Sequence, residues 1–291
     1  MLTKIKFQLL PLFLLFFISQ INNCQDKNID FNESIDFFII PNKVHEASGL
    51  IFYNGLLWSF NDSGGKPVLY ALSNKNGEIK SEIKLKKGKN YDWEDITHDD
   101  QYIYIGDFGN NLGNRKNLRI FKIDKKNIQT SKTSKIEYET IYFSFEDQTS
   151  FKPSFGQTAY DCESIIALND QLIVFTKDWK NQKSAIYPIS KKTGNYRIKK
   201  IKSIDIKGLV TGAEYISENR IILCGRNQVA PFIAIIDIQN YSIIKSINFP
   251  LLKGYQIEGI TVDNEFLYLS SEKTFYPPRI FKIELNKIIN F

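Results

Sequence analysis

Residues 94–107 read Glu-Asp-Ile-Thr-His-Asp-Asp-Gln-Tyr-Ile-Tyr-Ile-Gly-Asp. Two short runs rich in isoleucine, threonine and tyrosine flank Asp99-Asp100, the pattern of a strand, a tight turn and a second strand. With Glu94 as an anchor, an apolar residue stands two positions on (Ile96), a turn residue six on (Asp100) and an apolar residue of the next strand nine on (Ile103). The same offsets recur from four other anchors: Ser48 (Leu50, Asn54, Leu57), Glu163 (Ile165, Asn169, Leu172), Ala213 (Tyr215, Asn219, Ile222) and Glu258 (Ile260, Asn264, Leu267). Self-similarity at such intervals is the mark of a repeat architecture.

The anchors lie 46, 69, 50 and 45 residues apart. Each unit offers a third strand, at 68–72, 118–123, 185–189, 232–237 and 279–283, and a fourth follows in four of them. Four strands per unit at this spacing predict the blades of a β-propeller. The last unit runs out after three strands, while 35–40 (Ile-Asp-Phe-Phe-Ile-Ile) belongs to no unit of its own. That strand is expected to complete the last sheet, close the ring and hide its edge. An all-β fold of five four-stranded blades over 35–291 is the reading, and a six-bladed ring stays open if 135–146 folds as a separate unit.

Composition agrees with the class and excludes several functions. Aromatic residues make up 14%, which favours strands. Only two histidines occur, His45 and His98, neither in an HExxH motif. GxSxG, GxxxxGK[ST] and GxGxxG motifs are absent, which removes common hydrolase and nucleotide-binding classes. The net charge of +6 falls to +4 without the first 24 residues, and the lysines are scattered on turns such as 84–89, so no nucleic-acid platform is expected. Lys4 and Lys6 precede an apolar run from Phe7 to Ile18, the pattern of a secretory leader. Cys24 after Ile21-Asn22-Asn23 looks like a loose bacterial lipobox, implying an exported protein tethered by lipid on Cys24 through residues 25–34. The alternative is a cysteine in a plain tether. Cys162 and Cys224 are either a disulfide or two buried thiols.

In a propeller the first strand of each blade lines the central channel, so Ser48, Glu94, Glu163, Ala213 and Glu258 share one level. Three unpaired carboxylates at close range would raise one another's pKa, a cost of roughly several kcal/mol that a divalent cation removes. Oxygen ligands in a wide ring suit calcium. The alternative is glutamates facing trapped water or backbone N–H groups. Asp92 and Asp161, two residues before their anchors, share the anchor face, as a second metal site or as partners of lysine and arginine. Glu214 and Glu46 lie near the ring but out of register. One mouth of the channel collects Asn61-Asp62, Asp107, Thr176-Lys177, Arg226 and Ser271-Glu272. There Asp62 or Asp107 would position water, and Lys177 and Arg226 would bind a small anion. Ordinary turn chemistry is the competing explanation for these residues.

The register of Ala47-Ser48-Gly49-Leu50 with Asn54-Gly55 and Trp58, Trp93-Glu94, Cys162-Glu163-Ser164 and Ile257-Glu258-Gly259-Ile260 resembles the five-bladed calcium-dependent apyrases. These are secreted nucleotidases that hydrolyse nucleoside di- and triphosphates around a central calcium. The resemblance implies calcium ligands at Ser48, Glu94, Glu163 and Glu258, and Asp62 looks like the family's acidic pocket residue. Ala213 stands where the family has serine, and Gly106-Asp107-Phe108-Gly109-Asn110-Asn111 replaces its long substrate insert. That segment, with Asp92-Trp93-Glu94-Asp95-Ile96, looks more like a group of uncharacterised secreted bacterial propellers. The expectation is an exported monomer with a channel calcium. It would be either a calcium-dependent hydrolase of a small phosphorylated or anionic substrate or a non-catalytic cell-surface binding propeller.

Overall fold

The computed structural model describes residues 28–289 apart from 34, 130–132 and 218. The segment expected as a leader and Cys24 lie outside them. Among the described residues no helix is long and apolar enough to cross a membrane.

Five antiparallel sheets form the five blades. The first is built from Ala47–Tyr53, Leu56–Asn61, Val68–Ser73 and Ile79–Leu85, and the second from Trp93–His98, Tyr102–Asp107, Leu118–Asp124 and Glu139–Phe145. Asp161–Leu168, Gln171–Lys177, Ser184–Ser190 and the short Lys202–Ile204 make the third. The fourth holds Leu209–Ser217, Arg220–Arg226, Pro231–Asp237 and Ile243–Asn248. Ile257–Val262, Phe266–Ser271 and Arg279–Glu284 make the fifth, and Asp36–Ile39 completes it with Phe37 opposite Phe281. The ring therefore closes between the two ends of the chain, as the three-stranded last unit requires.

Residues 135–146 do not form a sixth blade. Ser134–Ile136 pairs in parallel with the outer strand of the first blade, while Glu139–Phe145 is the outer strand of the second. Gly194–Ile198 repeats this move, pairing with 141–145 of the second blade before the chain enters Lys202–Ile204. Asn28–Asp30 does the same on the fourth blade, just before 36–39. So at three blades the chain covers the outer edge of the preceding blade first, which protects otherwise unpaired backbone. Residues expected as a tether thus include a strand, and Phe31 packs at 5.4 Å on Phe249.

Burial follows position in the ring. The first and second strands are buried on both faces, whereas Glu139–Phe145 alternates because one of its faces meets solvent. Five apolar clusters fill the five spaces between adjacent blades. Phe60 meets Trp93 edge-on at 5.3 Å between the first two blades, and Phe145 lies 4.6 Å from Tyr187 between the next two. Asn54-Gly55 turns the first hairpin with both φ angles positive (53° and 73°), the geometry that matches strand twist. Cys162 and Cys224 are free, buried thiols.

Candidate functional site

Every first strand carries a β-bulge at the anchor level. Pairing shifts between Ser48 and Ile51, Trp93 and Ile96, Cys162 and Ser164, Val210 and Gly212, and Ile257 and Gly259. In the fourth blade the bulged residue is Thr211, so the anchor expected at Ala213 is corrected by two positions. Thr211 donates its hydroxyl to the Ile257 carbonyl at 2.9 Å, while Ala213 packs in the core between the third and fourth blades. A second bulge between Tyr215 and Ser217 lengthens that hairpin, which displaced the spacing.

One residue past each anchor the ring holds Gly49, Asp95, Ser164, Gly212 and Gly259. The blades approach closely here: a Cβ on Gly49 would sit 3.0 Å from the Asp95 Cα, and Gly49 has φ +56°. Asp95, fully buried, accepts backbone N–H groups from Ile96 (2.8 Å), Ile165 (2.9 Å) and Ala213 (3.3 Å). It ties three blades together at the channel, a role the sequence reading missed.

Outside this constriction lies an acidic mouth. Carboxylate oxygens of Asp62, Asp92 and Glu94 all lie within 4.8 Å of one another. Burial, then Asp92 and Glu258, push Asp62 up to about 8. Burial pushes Asp92 up to about 6, with Arg115 pulling the other way from 3.9 Å. Glu94 is raised well above the usual range by burial and then by Glu163, Asp62, Asp92 and Asp161, every one a carboxylate. Gly109 makes the crowding feasible, since any Cβ there would overlap Glu94 Oε1. Across the mouth, Ser48 donates to Glu272 Oε1 at 3.3 Å. Glu272 is pushed up to about 9 by burial, Glu258 and Asp62, and Glu258 is likewise raised by burial.

Lys177 enters the same space from the third blade. Its ammonium is paired with Glu163, lies 3.9 Å from Asp161 Oδ2 and sits 4.6 Å over the Trp179 ring. Asp161 in turn accepts the Trp179 indole N–H (2.7 Å) and the Asn110 backbone N–H (2.6 Å). Of the two acids placed before their anchors, Asp161 is thus hydrogen-bonded to its neighbours, while Asp92 joins the carboxylate cluster. Arg226 is exposed at the rim, with its guanidinium 6.0 Å from the Trp179 ring. Asp107 takes a different part from the one expected of it. It is wholly buried, with Arg115 on one oxygen (3.0 Å) and Arg119 on the other (2.9 and 2.7 Å), and it also accepts the Asp92 N–H (3.1 Å). Those bonds fix the loop that carries Asp92 and Gly109 and leave Asp107 no lone pair for a water.

No protein-family profile and no curated protein matches the chain. Solved structures do. A hypothetical protein from Leishmania major superposes with a TM-score of 0.53 at 11% identity, over 87% of this chain and 91% of that one. A glycosyl hydrolase from Bacteroides ovatus gives 0.50 at 11% identity, over 87% and 85%. A glucose dehydrogenase gives 0.50 at 8% identity, over 85% and 99%. Likeness at such identity shows the fold alone, and this fold hosts unrelated chemistries.

The site must therefore be judged by its own donors. Oxygens sharing one calcium at 2.3–2.6 Å stand at most about 5 Å apart, which the Asp62, Asp92 and Glu94 trio satisfies. Of the four ligands expected from the sequence, only Glu94 lies in that trio. Glu163 faces the Lys177 ammonium, Ser48 is bonded to Glu272, and Glu258 faces Glu272 and Asp62.

Proposed function

We propose that the acidic mouth holds a hard divalent cation, calcium by its oxygen donors, and that the protein is a cation-dependent hydrolase of a small phosphorylated or otherwise anionic substrate. The observation that carries this reading is the convergence of Asp62, Asp92 and Glu94, with the nearby Lys177 ammonium committed to Glu163 and no ion pair to Glu94 among the described residues. Carboxylates held so close are costly unless protonated or bridged by a cation. Asp62, Asp92 and Glu94 would hold the ion, which would offset their charge and polarise an oxygen of the bound anion.

The chain's own groups divide the remaining work. Half-buried Asp62 faces the open mouth and orients the attacking water, a role that Asp107 is too fully bonded to share. Arg226 at the rim attracts the anion past the acidic groups. Lys177, held by Glu163, supplies fixed positive charge near developing negative charge. A panel of nucleoside di- and triphosphates and aryl phosphates, assayed for phosphate release with calcium and with chelator, tests this. Chelator-sensitive turnover that falls at least tenfold in Asp62→Asn supports it, and turnover unchanged in that variant removes Asp62 from the role.

A second reading rests on the Lys177–Glu163 and Trp179–Asp161 pairs, which satisfy part of the mouth internally. In that case the ion serves rigidity and the rim binds a partner without chemistry. Ion binding with no turnover on any member of the panel would favour it.

A further inference from the structure

The other end of the channel holds a second, unrelated cavity of about 560 Å³, lined by residues of all five blades. Phe52, Tyr215, Val262 and Leu285 supply apolar wall, and Thr97, His98, Glu214, Thr261, Asp263 and Asn264 supply polar groups. Glu214 is the chemical centre. Its Oε2 accepts the Thr261 hydroxyl at 2.7 Å and its Oε1 the Tyr215 N–H at 3.0 Å. Thr261 also accepts the Phe52 N–H at 3.0 Å, and Thr97 accepts the Ala167 N–H at 3.1 Å. These bonds hold the carboxylate in place with part of its lone-pair capacity unused.

Among the described residues, no lysine or arginine lines this cavity. His98, the basic group in the lining, is held low by burial and by Lys125. The two hydrogen bonds favour ionised Glu214, but burial outweighs them and pushes it up to about 7, and no cation is paired with it among the described residues. Such a carboxylate selects a positive ligand. A metal ion is a poor match: Asp263, the other carboxylate in the lining, is taken up by the Glu265 and Phe266 N–H groups and the Tyr268 hydroxyl, and Glu214 with two threonine hydroxyls falls far short of the six to eight oxygens calcium takes. An ammonium group needs only a carboxylate and an aromatic face, and the Phe52 and Tyr215 rings offer the second. The volume falls in the range of small-molecule sites, roughly 300–1,000 Å³.

We propose that this cavity binds a small organic ammonium ion, its charged nitrogen on Glu214 and its carbon body against Phe52, Tyr215 and Leu285. Calorimetric titration of the full chain with phenethylamine at pH 8.5, with 2-phenylethanol as the neutral control, tests it. The amine should bind, the alcohol at least tenfold more weakly, and Glu214→Gln should lose at least tenfold for the amine. The amide oxygen introduced by that substitution would still accept from Thr261, so the fold should survive. Asp62→Asn should leave binding unchanged. Equal affinity for amine and alcohol, equal affinity in Glu214→Gln, loss in Asp62→Asn, or no binding at millimolar amine would each overturn the proposal. Should a variant fold poorly, the comparison of amine with alcohol on the wild type decides alone.

Discussion

The carboxylate of Asp95 in the second blade accepts the backbone N–H of Ile165 in the third at 2.9 Å, and the same oxygen reaches Ala213 in the fourth. The other blades place glycine or serine at this level, so one side chain fills the space that four small residues leave. Burial raises its pKa well above the usual range, and the three N–H groups oppose that. Removing it orphans backbone donors in three blades at a site with little room for water.

Asp95→Ala should therefore cost about 2–4 kcal/mol, at roughly 1–3 kcal/mol for each buried donor left unmade and with partial relaxation. Asp95→Asn, which keeps one acceptor, should cost less. Urea unfolding at pH 7 measures both, and an alanine variant within about 1 kcal/mol of wild type would contradict the stapling role.

Asp107 and Arg119 make a separate prediction. With Asp107 fully buried and Arg119 giving it two bonds, Arg119→Met strands part of a buried charge and should cost about 3–5 kcal/mol. Asp107→Asn should also lower stability. In both variants, compared below their melting transitions, calcium affinity should fall only through displacement of the Asp92 loop. Asp107→Asn that kept wild-type stability and lost turnover would restore Asp107 to the chemistry.

Stability of the chelated protein should fall as pH rises. Asp92, Asp62 and Glu272, at about 6, 8 and 9 when folded, all lie above the unfolded value near 4. The native state then holds more protons than the unfolded one between about pH 4 and 9, so ΔG of unfolding declines with pH across that window. Asp99, lowered to about 2, acts in the opposite sense, but its contribution is lost only below about pH 4. His98, lowered by burial and Lys125, also opposes the trend, but only below about 6.5 and as one group against the raised carboxyls. Melting in chelator at pH 5, 7 and 9 should give a descending series, and calcium should flatten it. A rising series would show that the mouth is not acid-crowded in solution.

Closure of the ring is equally open to test. A chain beginning at residue 42 lacks Asp36–Ile39, exposing the edge of Arg279–Glu284, and also lacks Ile40, buried between the first and fifth blades. It should associate or aggregate, whereas a chain beginning at residue 25, which keeps Asp36–Ile39 and also Asn28–Asp30 on the fourth blade, should stay monomeric on size exclusion. Equal melting temperatures for the two would refute closure by this strand.

Blade number, strand order and closure were legible in the sequence because strand alternation and turn residues repeat at fixed offsets. The fourth anchor was not, because the longer hairpin made Ala213-Glu214-Tyr215 imitate the pattern. A usable signal was present: Val210-Thr211-Gly212 mirrors Ile257-Glu258-Gly259 and Ala47-Ser48-Gly49. Register alone put Asp62 at the mouth and Glu94 in the channel lining, without bringing the two together, and Asp92 was left between two roles. What register could not give is which charges pair. Lys177 reaches Glu163 across one hairpin, while Asp107 is claimed by arginines 8 and 12 residues away on a loop and the third strand. Such pairing depends on side-chain reach and loop path, not on periodicity.

The central claim is that Asp62, Asp92 and Glu94 share a divalent ion. Thermal unfolding of chelator-stripped protein, with excess calcium, with magnesium and with neither, tests it most directly. The account predicts a calcium-selective rise, about 4 kcal/mol of stabilisation at a thousandfold excess over Kd, abolished in Asp92→Asn and in Glu94→Gln. An unchanged melting temperature under every metal, or a calcium shift that survives both substitutions, would contradict it.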